Sequence, residues 1–493
     1  MEEKEVDSSE DVGIIPVIFL YFAYAYVILW GKIVELISKI KGERYFTAPE
    51  GYAPLFVEFE YFYQRHLFGR IKDAWDRPIC SIAGAWIDVM NRSNNHYQER
   101  LQLTGGSRKS LNLGSYNYLG FAQNHGPVTD KVLESIKNYG VYSCSNSAEV
   151  GYTGLQKQLE DLTAKFLSKE ACMVFEMGFA TNSGTLPALI GKGGLIISDS
   201  LNHASLATGC KNTGCKVKVF RHNDHQHLEE VIRESIIQGQ PKSHRPWTMI
   251  LIIVEGIYSM EGEMCCLPEI VAIKNKYKCY LYVDEAHSIG ALGKTGRGVI
   301  DHFGIPSSEI DILMGTYTKS FGGIGGYVCS SKALIDHLRQ SSFSCLYANS
   351  MAPGCLVQAY EALRCIMGED GTTIGKQKIK QLHDNSNYFR TRLNEMGFVT
   401  LGSKDSPVIP LMLFNPGKMS SFSRLCLARH IAVVVVGYPA TPLSSPRTRF
   451  CISSSHTIDD LEWALQHIQE VGDLIGVRYF KNKHQNQKHI KSN

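Results

Sequence analysis

Between residues 111 and 355, short apolar runs alternate with stretches that are apolar on one helical face only, and this alternation limits the fold more than any other feature of the chain. The runs ACMVFEM, GGLIISDS, CKVKVF, TMILIIVEG, KCYLYVDEA and IDILMGT have the length and side chains of buried strands. LQKQLEDLTAKFL, HLEEVIRESII and LPEIVAIKNKY carry apolar residues at helical spacing. Strands that are apolar on both faces need cover on both faces, and parallel strands need helical crossovers. The pattern therefore predicts an α/β fold with a mostly parallel central sheet and helices on either side.

The flanks divide the rest of the chain. Residues 1–45 hold an acidic tail and an uncharged run over 12–30 that matches the length needed to cross about 30 Å of hydrocarbon. Pro16 interrupts that run, and an interfacial segment is the alternative. The acidic start and the missing small-residue cleavage site speak against a removed leader. Lys32, Lys39, Lys41 and Arg44 follow the run, so the positive-inside rule predicts a cytosolic body. Residues 46–110 read as an aromatic arm without catalytic spacing, 111–355 as the large domain, 356–480 as a smaller α/β domain and 481–493 as a polar tail. In the smaller domain IAVVVV and FCISSS are predicted strands, and TIDDLEWALQHIQEVGDL is a predicted helix with Leu461, Leu465, Ile468 and Leu474 inward.

Charge and cysteines narrow the function classes. Lys+Arg 51 against Asp+Glu 48 gives a net charge of +3, too small and too evenly spread for a nucleic-acid binder. The 14 cysteines include no CxxC pair and many sit in apolar runs, which fits reduced thiols in a cytosolic setting. GALGKTGRG contains Gly-Lys-Thr but has Ser288 where a P-loop needs its first glycine. The cluster from His222 to His227 reads as a polar loop, and no metal site is expected. Lys481, Lys483, Lys488 and Lys491 read as a solvated basic end.

Parallel sheets place ligands outside the carboxyl ends of their strands. Four predicted strand ends carry reactive groups: Asp284-Glu285-Ala286-His287, Tyr317-Thr318-Lys319-Ser320, Leu201-Asn202-His203-Ala204-Ser205 and Gly178-Phe179-Ala180-Thr181-Asn182. Singly, each has an ordinary structural explanation as a cap, a solvated loop residue or a satisfied histidine. Together they match what pyridoxal 5′-phosphate (PLP) requires. Asp284 suits the pyridine nitrogen, Lys319 suits a Schiff base with the aldehyde, and His203 suits the ring face. His287 suits the phenolic oxygen. Gly178 and Phe179 at a helix start, with Thr316, Thr318 or Ser320, suit the phosphate.

The strings DSLNHAS, EGIYSMEGE, YVDEAHSIGALGKTGRG and GTYTKSFGGIGGY, in that order, resemble the α-oxoamine synthases, which are fold-type I PLP enzymes related to aspartate aminotransferase. The likeness runs from SYNYLGF at 115–121 to RTRFCISSSH at 447–456. Within that family the apolar N-terminal segment, the arm PEGYAPLFVEFEYFYQRHLFGRIKDAWDRPI and the strings MGFATNS, VVVVGYPATP and SPVIPLML are most similar to the second long-chain-base subunits of eukaryotic serine palmitoyltransferases.

The resemblance implies a decarboxylative condensation of L-serine with palmitoyl-CoA to 3-ketodihydrosphingosine, the first step of sphingolipid synthesis. It also implies an endoplasmic-reticulum membrane location and a heterodimer with the first long-chain-base subunit, with small activating and regulatory membrane subunits as further partners. Residue by residue, it implies Lys319 as the Schiff-base lysine and general base, with Asp284, His287 and His203 around the cofactor ring. Ser259 would lie near the cofactor and Thr316 would bind phosphate. Arg449, with Arg447 as its rival, would take the substrate carboxylate, a task for which a planar fork is suited. Tyr116 and Asn117 would come from the amino-acid pocket, and the loop containing Pro439 and Thr441 would close over substrates. A synthase using glycine or alanine, or a non-catalytic scaffold subunit, is the alternative. Ser147 and Gln156 depart from relatives that read arginine and then histidine, and Asn349 stands where threonine is common; these departures bear on substrate anchoring or the subunit interface.

Overall fold

The computed structural model describes residues 14–41, 51–53, 62–63, 65–66, 68–93, 101–438 and 440–480. Its strands are β1 (Trp86–Ser93), β2 (Gln102–Asn112), β3 (Ala171–Phe175), β4 (Leu195–Asp199), β5 (Lys216–Phe220), β6 (Ile250–Glu255), β7 (Tyr280–Asp284), β8 (Ile312–Thr316), β9 (Gly326–Ser330), β10 (Val408–Met412), β11 (Ile431–Ala432), β12 (Val434–Val436) and β13 (Arg447–Cys451). The six expected strands are β3 to β8, and they join β9 in a seven-stranded sheet of order β3-β9-β8-β7-β6-β4-β5. Only β9 opposes the common direction, pairing antiparallel with both β3 and β8.

The two-residue period of each strand sorts its side chains into two layers. Ile252, Val254, Val283 and Leu313 enter one core, while Leu251, Ile253, Tyr282 and Met314 enter the core on the opposite face. Helices Gly154–Leu167, His225–Gln238 and Leu267–Tyr277 occupy the predicted segments. Thr153 and Asp224 accept from the backbone N–H groups of Gln156 and His227 and so cap the first two, each cap contributing on the order of 1 kcal/mol. The strand order turns back between β4 and β6, and such a switch point opens a crevice at the carboxyl ends of the sheet.

A separate core gathers β10, β12 and β13 with helices Ile374–Glu395, Pro416–Ala428 and Ile458–Ile475, and it includes Ala74, Leu111 and Leu113 from the chain that precedes the large sheet. Three expectations are corrected here. IAVVVV is two strands, β11 beside β2 and β12 beside β13, in different sheets. The strand expected at FCISSS starts earlier, at Arg447, and ends at Cys451. Leu474 does not face inward but is 66% exposed; Val471 fills the core alongside Leu461, Leu465 and Ile468, because the helix turns its inward stripe away from Leu474 near its end.

The N-terminal helix runs Ile14–Ile40, ten residues past the end of the apolar run read from sequence. At 1.5 Å per residue it is about 40 Å long, and among the described residues it is the one helix long and apolar enough to cross a membrane. Its second half packs on the arm. Glu35 pairs with Arg65 and His66, and Gly31 lets Phe62 approach so closely that a Cβ there would stand 2.7 Å from the Phe62 ring. The polar tail 481–493 lies outside the described residues. All fourteen cysteines are free thiols, nine of them buried.

Candidate active site

The loops that follow β3, β4, β6, β7 and β8 enclose a cavity of about 360 Å³. Its lining brings together Lys319, Asp284, His203 and His287, together with Tyr116, Gly178, Phe179 and Thr316.

Asp284 ends β7 and is buried. Its Oδ2 accepts from Asn182 Nδ2 at 2.7 Å and its Oδ1 from the Ala286 N–H at 2.9 Å. Asn182 also donates to Ser205 Oγ at 3.0 Å, so its Oδ1 is left to accept from the Tyr282 hydroxyl at 2.7 Å. These bonds orient the carboxylate before any ligand arrives.

Lys319 follows β8. Its Nζ has no hydrogen-bond partner among the described residues and lies 5.6 Å from the centre of the Tyr116 ring. Burial pulls the amine down from its ordinary 10.5 to about 8, against the opposing pull of the Asp284 and Glu255 charges. The amine is thus available as a nucleophile near neutral pH.

His203 caps the helix Ala204–Asn212, with its Nδ1 accepting from the Ser205 N–H at 3.2 Å and lying 2.8 Å from Ser205 Oγ. Burial, with the Lys319 charge adding to it against Asp284, lowers its pKa and favours the neutral ring. The His203 N–H donates to Glu255, at the end of β6. Burial first, and then the neighbouring Asp284 charge, raise Glu255 well above the usual carboxylate range. His287 is buried, and its Nδ1 lies 2.8 Å from the Tyr118 hydroxyl.

Gly178 opens the helix Gly178–Leu189, whose first N–H groups have no intrahelical partner. A Cβ at Gly178 would stand 3.1 Å from Thr316 Oγ1, so the glycine lets this helix start sit against the end of β8. Thr316 Oγ1 donates to the Gly325 carbonyl at 2.6 Å and lies 2.8 Å from the exposed Thr318 hydroxyl. Phe179 is half-exposed at the rim, its ring 6.2 Å from that of His203.

The other expected residues fare differently. Arg449, on β13, is buried, and its guanidinium carbon lies 4.8 Å from the centre of the Tyr116 ring. Its Nε has no partner among the described residues, and Nη1 donates to Met260 Sδ at 3.7 Å. Its rival Arg447 is occupied, bonded to the Met260 carbonyl at 3.0 Å and paired with Glu261 at 3.4 Å. Asn117 is not brought to the cavity wall. Its amide donates to the Ala83 carbonyl at 2.9 Å and its oxygen accepts from the Ala122 N–H, so it braces the turn after β2. Ser259 and Thr441 are buried away from the cavity lining, and Pro439 lies outside the described residues. Ser320, considered for the phosphate, donates instead to the Ile289 carbonyl at 2.6 Å.

Two sequence departures turn out to be partners. Ser147 Oγ donates to Gln156 Oε1 at 3.3 Å, and Gln156 donates onward to Glu160 at 3.4 Å. Asn349 is exposed and bridges to Asn146. In the histidine cluster, Asp224 caps a helix and His222 sits between Asp199 at 2.9 Å and Glu263 at 3.3 Å. Burial alone would lower His222, but its two carboxylate partners outweigh that and push it to about 9.

Asn182, Ser205, Glu255 and Tyr118 belong to this site without having been assigned from sequence. The strand-end rule that singled out Asp284 on β7 applies equally to Glu255 on β6, its lateral neighbour in the sheet.

The residues present fit PLP. An amine without a hydrogen-bond partner among the described residues, an oriented carboxylate, two imidazoles with filled Nδ1 positions and an open helix start surround one cavity.

Comparison with known proteins agrees. The aminotransferase class I and II family matches residues 108–468. The chain is 75% identical over 486 residues to serine palmitoyltransferase 2 of Dictyostelium discoideum, covering 98% of this chain and 99% of that protein. The solved serine palmitoyltransferase of Sphingomonas wittichii superposes with a TM-score of 0.75 at 26% identity, over 86% of this chain and 100% of that one. An SPT with its PLP internal aldimine superposes with a TM-score of 0.69 at 28% identity, over 76% of this chain and 90% of that one. The chain therefore belongs to the class I and II aminotransferase family, in the branch of the serine palmitoyltransferase 2 subunits.

Proposed function

We propose that this chain is the catalytic subunit of a serine C-palmitoyltransferase, condensing L-serine with palmitoyl-CoA to 3-ketodihydrosphingosine with release of CoA and carbon dioxide. The observation that carries the reading is the buried amine of Lys319, without a hydrogen-bond partner among the described residues and facing the same cavity as the oriented carboxylate of Asp284. Asp284 would hold the pyridine nitrogen, Lys319 the aldehyde carbon, His287 the phenolic oxygen and His203 the ring face. Gly178, Phe179, Thr316 and Thr318 would receive the phosphate. PLP supplies an electron sink for the bond broken at the serine α-carbon.

The chain's own groups do the rest. Arg449 is a buried cation with no carboxylate partner among the described residues, and burying such a charge is costly unless an anion arrives to meet it. It anchors the serine carboxylate in a bidentate fork, with the Tyr116 ring close to both it and the Lys319 amine. Lys319 takes the α-proton as general base. His203, kept neutral by its surroundings, donates from Nε2 toward the thioester oxygen as negative charge builds there. Arg449→Lys keeps the charge but loses the fork. It is expected to raise KM for serine and lower kcat/KM roughly ten- to a hundred-fold, read from initial rates against serine concentration.

Residues 111–355 would form the PLP-binding domain and 356–480 the smaller domain, with the N-terminal helix anchoring a cytosolic body to the endoplasmic-reticulum membrane. The acyl chain and the product both partition into lipid, which supports a membrane address. The first long-chain-base subunit is the proposed partner, and the exposed apolar side chains Met177, Phe179 and Ile324 at the cavity rim support a covering chain. The test is an assay of serine with palmitoyl-CoA and with short thioesters, with and without the co-expressed partner. Ketone formation favouring the long thioester and needing the partner is expected. Preference for short thioesters with glycine or alanine, or a chain that neither binds PLP nor turns over, would overturn the proposal.

A further inference from the structure

Tyr118 lies behind the cavity wall, fully buried, and its hydroxyl has one hydrogen-bond partner among the described residues: His287 Nδ1, at 2.8 Å. A buried phenol keeps its proton, since burial raises Tyr118 well above its ordinary range, and a buried O–H without an acceptor is costly. The hydrogen therefore points at Nδ1, which must be a bare lone pair. The imidazolium is disfavoured first by burial and then by the charges of Lys319 and Arg449. A neutral ring accepting at Nδ1 carries its single hydrogen on Nε2. Nε2 has no partner in the protein among the described residues, and the ring lines the cavity, held edge-on by Tyr116 at 5.2 Å between centres. His203 shows the same arrangement by another route, because its Nδ1 accepts from the Ser205 N–H.

We infer that Tyr118 is a positioning residue that locks His287 in its Nε2–H tautomer, so that the cavity presents a fixed hydrogen-bond donor to an aryl oxygen of its ligand. The inference rests on the reading of this cavity as a PLP site. Without the Tyr118 hydroxyl the two neutral tautomers become close in energy. The one protonated at Nδ1 would then turn a lone pair toward the ligand oxygen.

The holoenzyme tests it in two ways. In the unsubstituted, 15N-histidine-labelled protein, nitrogen chemical shifts identify which ring nitrogen of His287 is protonated; the resonance is assigned by its loss in His287→Phe. Hydrogen on Nε2 is expected, and hydrogen on Nδ1 overturns the inference. In Tyr118→Phe, the ratio of the two absorption bands of bound PLP is expected to shift and kcat/KM to fall about ten-fold, with PLP content and melting temperature near those of the parent. The same substitution in a His287→Phe background should leave the band ratio unchanged. A ratio unaltered by Tyr118→Phe alone, or altered equally in both backgrounds, overturns the inference and leaves Tyr118 a packing residue. Should the unsubstituted protein bind no PLP, the proposed function fails, while the nitrogen shifts still decide the tautomer.

Discussion

Replacing Lys319 with alanine is expected to remove the visible absorption of bound PLP and to lower turnover by at least about 10⁴-fold, with the melting temperature close to that of the parent. A lost general base alone costs up to about 10⁴, and in the proposed site the covalent tether to PLP would go with it. The fold should tolerate the change because Nζ makes no hydrogen bond among the described residues, so its removal leaves no donor or acceptor stranded. Asp284 keeps both of its hydrogen bonds, to Asn182 and to the Ala286 N–H. The sign of the pH dependence follows from burial, which disfavours the ammonium and brings the amine to about 8. In the parent apoprotein the rate of recombination with PLP should therefore rise as pH passes through about 8, rather than near the 10.5 of an ordinary lysine. Retained turnover in Lys319→Ala, or recombination that is flat between about pH 7 and 9, would remove Lys319 from the centre of the mechanism.

How far this was legible in the sequence depends on what each residue responds to. Strands β3 to β8 are visible because burial on both faces writes itself as continuous apolar runs. β9 is not, because it opens with Gly326, where a Cβ would stand 2.6 Å from Thr181 Oγ1, and follows a loop of glycines. β2 was missed for a different reason: most of its length is exposed, so no alternation marks it. IAVVVV reads as one strand since a pattern of apolar residues cannot show that the chain changes sheets at Val433. In the site, Lys319, Asp284, His203 and His287 stand out because their chemistry is rare at strand ends. Asn182, Ser205 and Tyr118 are recognised by the groups they touch, which are 102, 2 and 169 residues away for the bonds to Asp284, His203 and His287. Asn117 shows the converse, since its place beside Tyr116 does not decide which way its amide faces. The resemblance put Arg449 ahead of its rival Arg447 in RTRF, but their spacing alone could not; what separates them in space is Glu261, which engages Arg447 and leaves Arg449 without a carboxylate partner among the described residues.

Asp284→Asn is expected to lower turnover about 10³- to 10⁴-fold, equivalent to about 4–5.5 kcal/mol of transition-state stabilisation, while PLP still binds. In the proposed site Asp284 would hold the pyridine nitrogen protonated, and the electron sink that PLP would supply depends on that positive charge. An amide of the same shape cannot do this. The substitution also disturbs its surroundings. Both oxygens of Asp284 accept, one from Asn182 Nδ2 and one from the Ala286 N–H, so the new NH₂ must face a donor whichever way the amide turns. An unmade buried bond of this kind costs about 1–3 kcal/mol, so a lower melting temperature should accompany the loss of rate. Asn182→Ala separates the two effects, since it strips one of the two hydrogen bonds to Asp284 and leaves the Asp284 charge in place. It should cost about ten-fold in rate, far less than Asp284→Asn. The decisive measurement is exchange of the serine α-proton with deuterated solvent in the absence of acyl-CoA, which isolates the step that needs the electron sink. Exchange in Asp284→Asn within about ten-fold of the parent would mean that the ring is held cationic by something else, and Glu255, one strand away on β6, would then be the group to replace.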